Sequence, residues 1–145
     1  MAVLTIVETD VTIVRMDEKI GPLPVTAAID KGEILRPDTT TGKWVAAIAT
    51  TAGNIGNING VAIKTAGGAN IPVTVMRRGI LHLGLGVLDG LAYDLPIFLD
   101  DTGALNTVAG TVSKIVGIVY PAWAQVVSAT PDRVLYIDCT GALDA

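Results

Sequence analysis

Cysteine and positive charge are both scarce in this sequence, and each shortage excludes a class of protein. Cys139 is the only cysteine among the 145 residues, so one chain cannot form a disulfide framework or a zinc site built from cysteines. Ten lysines and arginines stand against fourteen aspartates and glutamates, which gives a formal net charge of -4. Proteins that bind DNA or RNA normally carry a basic excess, and we therefore expect no nucleic-acid partner.

Long apolar runs are missing as well, although half of the residues are hydrophobic. Pro121 interrupts the run Ile115–Ala124, and His82 interrupts the run Ile80–Leu88. Neither approaches the roughly 20 apolar residues that a membrane-spanning helix needs. Charged residues also fall where a secretion signal would have its apolar segment; they are Glu8, Asp10 and Arg15. The sequence therefore predicts neither a membrane partner nor a signal peptide.

Residues suited to nucleophilic catalysis are few. His82 is the only histidine, Ser113 and Ser128 are the only serines, and neither serine lies in a G-x-S-x-G elbow. The composition allows a Cys139–His82 dyad, but the ordinary alternative is a buried thiol in one strand and a half-buried imidazole on another. No zinc-protease, phosphate-loop or calcium-loop motif occurs. We expect a protein that is not an enzyme and binds no cofactor or metal, with the dyad as the competing hypothesis.

Glycine and proline interrupt the chain from end to end, with 16 and 7 copies. The segments between them are short and rich in Val, Ile and Thr, which suit a pleated, half-buried surface. Strands of about five residues with turn signals every 8–12 residues or so are typical of a sandwich or barrel. We predict a mainly β fold: a small β-barrel or sandwich-like domain with an extended N-terminal arm and little helix. The predicted strands are Val25–Ile29, Ile34–Arg36, Trp44–Ile48, Ile58–Ile63, Ile71–Arg77, Gly79–Gly86, Leu95–Leu99, Thr111–Val119 and Arg133–Cys139, and the candidate short helices are Ala46–Ala52 and Pro121–Val127.

Charged doublets predict turns and surfaces rather than a site. The pair Asp100-Asp101 comes directly before Thr102-Gly103, which indicates a turn in which an aspartate accepts hydrogen bonds from nearby backbone N–H groups. Arg77-Arg78 is the only basic doublet. Adjacent residues of a strand point to opposite faces, so these two arginines form no basic patch by themselves.

The first 24 residues differ from the rest, because no glycine or proline occurs before the break at Gly21–Pro24. Such an extended apolar segment can be the first strand of its own barrel, or an arm that completes a neighbour's sheet; the local pattern leaves both open. We divide the chain into an extended N-terminal arm at residues 1–24 and a β-rich domain at residues 25–145. The candidate partner-binding residues of the arm are Leu4, Ile6, Val11, Ile13 and Arg15.

The apolar content points to an interface. Aromatic residues make up only 4% of the chain, so the core must be built mostly from Val, Ile, Leu and Ala, which bury less area per residue. The large apolar fraction exceeds what one small domain easily hides. A subunit or partner interface, stabilised by about 25 cal/mol for each Å² of buried apolar area, would cover the excess.

Five segments carry a resemblance to a known family. Ala28–Leu35 is an apolar pair, a turn with glycine and a second apolar pair, and Asn59–Gly67 contains Gly-Val-Ala followed by Ala-Gly. Ile71–Gly79 reads Val-x-Val-x-x-x-Gly, Leu91–Leu105 has an apolar run followed by Asp, Thr-Gly and Leu, and Lys114–Val119 contains Val-Gly. In their order and spacing they resemble the capsid decoration proteins of tailed bacteriophages, which are also called head-stabilising or cement proteins.

The resemblance implies a non-catalytic, β-rich and commonly trimeric protein on the outer surface of an assembled phage head. Such proteins clamp neighbouring coat subunits against the pressure of the packaged DNA. The expected partners are therefore the major capsid protein and further copies of the chain in a homotrimer, and the expected location is the virion. We expect the arm to leave its own barrel and add a strand to a neighbouring decoration subunit or to the coat protein. Another virion component, such as a tail-tube, spike or fibre subunit, is the alternative.

Overall fold

The computed structural model describes residues 3–84, 86–122 and 132–144, and its fold is mainly β. Strands account for 43% and helices for 8%, which confirms the predicted class. Within the described ranges the strands are β1 (Thr12–Pro24), β2 (Ile34–Pro37), β3 (Trp44–Ala46), β4 (Gly60–Ala62), β5 (Pro72–His82), β6 (Pro96–Leu99), β7 (Leu105–Asn106), β8 (Ile115–Pro121) and β9 (Arg133–Asp138). The helical turns are α1 (Ala52–Ile55) and two 3-10 helices, Glu8–Asp10 and Ala142–Asp144.

The strands form one antiparallel sheet that curls into a half-barrel. Along the sheet the order is β3-β2-β4-β5-β9-β8-β6-β7, and β1 pairs with β5 outside this path. β1 follows β5 over its whole length, from Thr12 opposite His82 to Pro24 opposite Pro72. β4 and β9 share the other edge of β5. β5 is therefore the strand from which the sheet divides.

The close approach of β1 to β5 depends on Gly79. A Cβ atom at this position would lie 2.2 Å from the carbonyl oxygen of Arg15. The sequence predicted separate strands at Ile71–Arg77 and Gly79–Gly86. The structure instead continues one strand, β5, through the glycine, because a residue without a side chain lets a second backbone pass close by.

Two apolar clusters fill the curled sheet. The larger cluster lies under β5, β9 and β8, where Leu81, Leu135 and Val119 stand opposite one another on the same face. The smaller cluster surrounds the fully buried Trp44 and includes Val73. Both are built mainly from branched aliphatic side chains, as the low aromatic content requires.

The helix predicted over Ala46–Ala52 is wrong. The backbone N–H of Ala47 donates to the carbonyl oxygen of Ile34 at 2.9 Å, and that of Ala49 donates to the carbonyl oxygen of Asp100 at 3.0 Å. Both alanines are completely buried. Hydrogen bonds to distant parts of the chain thus keep this stretch out of a helix, Ala49 and Thr50 form a turn, and the helical turn α1 begins only at the end of the stretch.

One further predicted element differs from the structure. Val25–Ile29 forms only isolated bridges, from Val25 to Trp44 and from Ile29 to Ala66, rather than a strand. The candidate helix Pro121–Val127 falls almost entirely outside the described residues.

Candidate interaction surface

Residues 3–24, which we call the N-terminal segment, pack against the rest of the same chain. Leu4 donates its backbone N–H to the carbonyl oxygen of Leu105 at 2.9 Å. The carboxylate of Glu8 accepts a hydrogen bond from the hydroxyl of Thr65. Beyond the first 3-10 helix, β1 continues along β5. In the single chain the segment is therefore a strand of its own sheet, and its exchange with a neighbouring subunit stays a prediction.

The five residues proposed to bind a partner divide into two groups. Leu4 and Val11 are buried, with 7% and 1% of their surfaces exposed, and both belong to the larger core cluster. Ile6 and Ile13 are half-buried and pack against the same cluster. Arg15 is exposed. In this arrangement the four apolar side chains pack into or against the chain's own core, and Arg15 is the one of the five that is exposed to solvent.

Four other apolar side chains of the N-terminal segment face solvent, each with 38–54% of its surface exposed. We call them the exposed apolar set: Val3, Val7, Val14 and Met16. The described residues contain seven exposed large apolar side chains, and four of the seven lie on the N-terminal segment. Strand alternation in the sequence does not identify Val14 and Met16, because the β1–β5 ladder shifts register just before Arg15 and just after Met16.

β1 is an edge strand of 13 residues. Among the described strands it pairs only with β5, so its outer edge has no strand partner. Its ladder with β5 is interrupted by four register shifts, and Pro22 and Pro24 carry no backbone N–H donor. Bulges and prolines protect an edge against the addition of a further strand. The outer side of β1 is therefore better suited to contacts through side chains than to strand addition.

Of the four charged side chains of β1, three form ion pairs within the chain: Arg15, Asp17 and Glu18. The guanidinium of Arg15 lies 2.9 Å from the carboxylate of Asp17. The carboxylate of Glu18 lies 3.5 Å from the guanidinium of Arg77 and 4.0 Å from that of Arg78. Exposed pairs of this kind contribute only about 0–1 kcal/mol each to stability. Along β1, Met16 therefore lies between two charged residues, Arg15 and Asp17, that already pair with each other.

The strand register separates Cys139 from His82. The backbone N–H of Cys139 donates to the carbonyl oxygen of Arg77 at 2.8 Å, which places Cys139 beside the start of the β5–β9 ladder. His82 lies five residues further along β5, roughly 16 Å away at about 3.3 Å per residue. The two side chains therefore do not form a nucleophile–base pair.

The surroundings of the two residues agree with this separation. Burial raises the pKa of the Cys139 thiol to about 12, although the positive charges of Lys114 and Arg77 act in the opposite direction. The Nε2 atom of His82 lies 3.3 Å from the carboxylate of Asp132, and its Nδ1 atom accepts a hydrogen bond from the backbone of Gly84. The thiol is a core group, as in the ordinary interpretation of the sequence.

The predicted turn at Asp100-Asp101 is confirmed. The Oδ1 atom of Asp100 accepts hydrogen bonds from the backbone N–H groups of Thr102 at 2.8 Å and Ala104 at 3.0 Å. Burial by itself raises the pKa of Asp100, but hydrogen bonds from Thr102, Asn106 and Ala104 outweigh it, so the pKa lies below its usual value. This carboxylate is a structural element of the turn.

In comparisons with known proteins, no protein-family model, no curated protein and no solved structure matches the chain. Within the described ranges, no helix is long and apolar enough to cross a membrane. In the same part of the chain, no three His, Cys, Asp or Glu side chains are grouped so that they could hold a metal ion.

Proposed function

We propose that this chain is a decoration protein of a tailed-bacteriophage head, which binds the outer surface of the assembled capsid and clamps neighbouring coat subunits. The observation that carries the proposal is the exposed apolar set, which gathers solvent-facing apolar side chains on one N-terminal segment. Apolar side chains exposed together are typical of protein interfaces. The coat protein is the partner in this proposal, and further copies of the chain complete a homotrimer.

The segments that carry the family resemblance support the proposal through their places in the fold. Ala28–Leu35 is a turn that leads into β2, Asn59–Gly67 contains β4, and Ile71–Gly79 covers most of β5. Leu91–Leu105 contains β6 and the turn after it, and Lys114–Val119 lies largely in β8. All five are strands or turns of one continuous sheet, as expected of a framework that a family would share.

The burial of Leu4 and Val11 bears on how the N-terminal segment is used. Transfer of the segment to the coat protein would take both side chains out of the core, at about 1.5–3 kcal/mol each. Exchange with a second copy of the chain would keep these contacts, because that copy offers the same pockets. We therefore propose that the coat protein contacts the exposed apolar set while the N-terminal segment stays docked on its own sheet. Any exchange of the segment would take place between two copies of the chain.

Such a contact gains strength from repetition. One or two exposed aliphatic side chains bury little area, and a single chain would bind weakly. Three copies in a trimer engage neighbouring coat subunits at a high effective concentration, which raises the overall affinity without any new contact. A clamp between subunits follows from the same geometry, since one trimer then contacts several coat subunits.

Sedimentation with empty, expanded heads assembled from the coat protein of the same phage tests the proposal. The full chain should pellet with the heads, and the double variant Val14→Ser, Met16→Ser should bind about tenfold more weakly or worse. The matched control is Val108→Ser, Tyr120→Ser, which removes two exposed apolar side chains outside the N-terminal segment and should bind like the original chain.

Two outcomes of this experiment would contradict the proposal. One is a chain that stays in the supernatant at every head concentration. The other is assembly of the purified chain into tubes or fibres without heads, which would favour a tail-tube or fibre subunit instead. If the double variant bound heads as tightly as the original chain, the chain would still be a head-binding protein, but its contact would lie outside Val14 and Met16.

A further inference from the structure

A second surface feature, independent of the proposed function, is a pocket of about 390 Å³ beside Arg36. The end of β2, the loop that follows it and the turn around α1 form its walls. Six of its lining residues matter for its chemistry: Arg36, Pro37, Asp38, Ala52, Gly56 and Ile58. The pocket thus combines one cation with a largely apolar wall.

The guanidinium of Arg36 has more donors than partners. Its Nη1 atom donates to the carbonyl oxygen of Pro37 at 3.3 Å. Its Nε atom is buried and has no hydrogen-bond partner. A guanidinium carries five N–H donors, four of them on the two Nη atoms, so donors beyond the one that Pro37 accepts are available to an acceptor in the pocket.

Gly56 fixes the position of this guanidinium. A Cβ atom at Gly56 would lie 2.9 Å from the Cβ atom of Arg36 and 3.2 Å from its Cδ atom. The aliphatic part of Arg36 therefore lies flat against the backbone of the turn after α1. An arginine held in this way loses less conformational entropy when its planar fork binds a carboxylate.

The surroundings of Arg36 select the kind of anion. The carboxylate of Asp38 lies near enough for Arg36 to lower its pKa, although the backbone hydrogen bonds from Thr41 and Thr40 lower it more. This carboxylate repels a singly charged carboxylate ligand about half as strongly as a dianionic phosphate at the same distance. Ile58 has 45% of its surface exposed and offers an apolar contact in the same pocket.

We propose that this pocket binds an aspartate or glutamate side chain of a partner protein, with an apolar neighbour of that residue packed on Ile58. The carboxylate accepts two hydrogen bonds from the Nη1 and Nη2 end of the Arg36 guanidinium, in a bidentate geometry that arginine and carboxylates favour. The occupant is thus an acidic and apolar segment of protein rather than a free inorganic anion.

NMR titration of the full chain tests this proposal, with the Nε–Hε signal of Arg36 and the amide signal of Ile58 as readouts. The probe is the capped tripeptide acetyl-Leu-Asp-Leu-amide; the controls are the same peptide with Asn in place of Asp, and inorganic phosphate. We expect saturable shifts of both signals with the acidic peptide only. Arg36→Gln should weaken binding about tenfold or more, and Ile58→Ala about fivefold. The matched control Arg78→Gln should leave it unchanged.

The proposal is overturned by any of three results: no saturable shift with the acidic peptide, equal shifts with the Asn peptide or phosphate, or equal affinity of the Arg36→Gln variant. If the Arg36→Gln variant does not fold, Arg36→Lys tests the same contact, because lysine keeps the positive charge but lacks the planar fork. Affinity for the acidic peptide should fall in Arg36→Lys, and an unchanged affinity would show that charge alone is being measured.

Discussion

The indole Nε1–H of Trp44 donates a hydrogen bond of 2.8 Å to the carbonyl oxygen of Val73. These residues lie on β3 and β5, which β2 and β4 separate in the sheet. Neighbouring strands lie about 4.8 Å apart, so a flat sheet would keep β3 and β5 roughly 14 Å apart. The hydrogen bond therefore depends on the curl of the sheet, which brings the β3 end back over β5 and closes the smaller core cluster.

Replacing the indole tests how much this closure contributes. Trp44→Phe leaves the buried carbonyl of Val73 without its donor and opens a small cavity, so we expect a loss of about 2–4 kcal/mol in the free energy of unfolding. Denaturant titration followed by circular dichroism measures it. The exposed Tyr120→Phe is the control and should change stability by no more than about 0.5 kcal/mol. A similarly small loss for Trp44→Phe would show that the curl does not depend on this bond.

Gly79→Ala should damage the pairing of β1 with β5. The added Cβ atom would lie 2.2 Å from the carbonyl oxygen of Arg15, and one of the two strands must move. We expect a loss of about 3 kcal/mol or more, with faster amide hydrogen exchange along β1. Gly67→Ala is the matched control, because no atom lies within 4 Å of a Cβ there. Equal amide exchange rates along β1 in Gly79→Ala and Gly67→Ala would show that the close approach of β1 and β5 does not affect stability.

Asp100 should contribute to the acid limit of stability. Its pKa lies below the ordinary value, because hydrogen bonds from the turn outweigh the effect of burial. The stabilisation is present above the unfolded pKa of about 3.9 and is lost as the pH falls through the lower folded value. Asp100→Asn should therefore reduce stability by about 1–2 kcal/mol at pH 7 and by progressively less below pH 4 or so.

Unfolding titrations of Asp100→Asn between neutral and acidic pH measure this difference. Asp89→Asn serves as the control, since Asp89 is exposed and should leave the acid limb of the stability curve as it is. A constant difference between Asp100→Asn and the original chain across the whole pH range would contradict the assigned role of the carboxylate.

Cys139 should limit stability at alkaline pH. Burial raises its folded pKa to about 12, whereas a free thiol titrates near 8.5 or so. The unfolded chain therefore loses its proton first, and stability falls as the pH rises above about 8.5, by up to about 1.4 kcal/mol per pH unit. In Cys139→Ala this alkaline slope should be smaller, as measured by unfolding titrations from neutral to alkaline pH.

Thiol labelling gives an independent check on Cys139. Because only the thiolate reacts, the folded chain should react with a thiol reagent at pH 8 about 100-fold more slowly, or slower still, than the chain in denaturant. Labelling of the folded chain faster than that of a free cysteine would restore the hypothesis of a reactive Cys139.

Much of the strand pattern could be predicted because its causes are local. β2, β6 and β9 lie where short β-branched or aliphatic runs end at turn residues, and the Asp100 turn forms through hydrogen bonds within a few residues. Gly79 and the stretch Ala46–Ala52 were misread for the opposite reason. Their conformations depend on Arg15, Ile34 and Asp100, which are distant in the chain.

Composition and short-range spacing are enough to establish the mainly β class, the scarcity of catalytic groups and the apolar excess. Which apolar residues of the N-terminal segment stay exposed depends instead on tertiary contacts. Leu4 and Val11 pack into the core, while Val14 and Met16 remain exposed, because burial depends on which strand lies opposite. The same holds for Arg36, whose Nε atom is buried without a hydrogen-bond partner, because burial of that atom depends on the packing of residues from other parts of the fold.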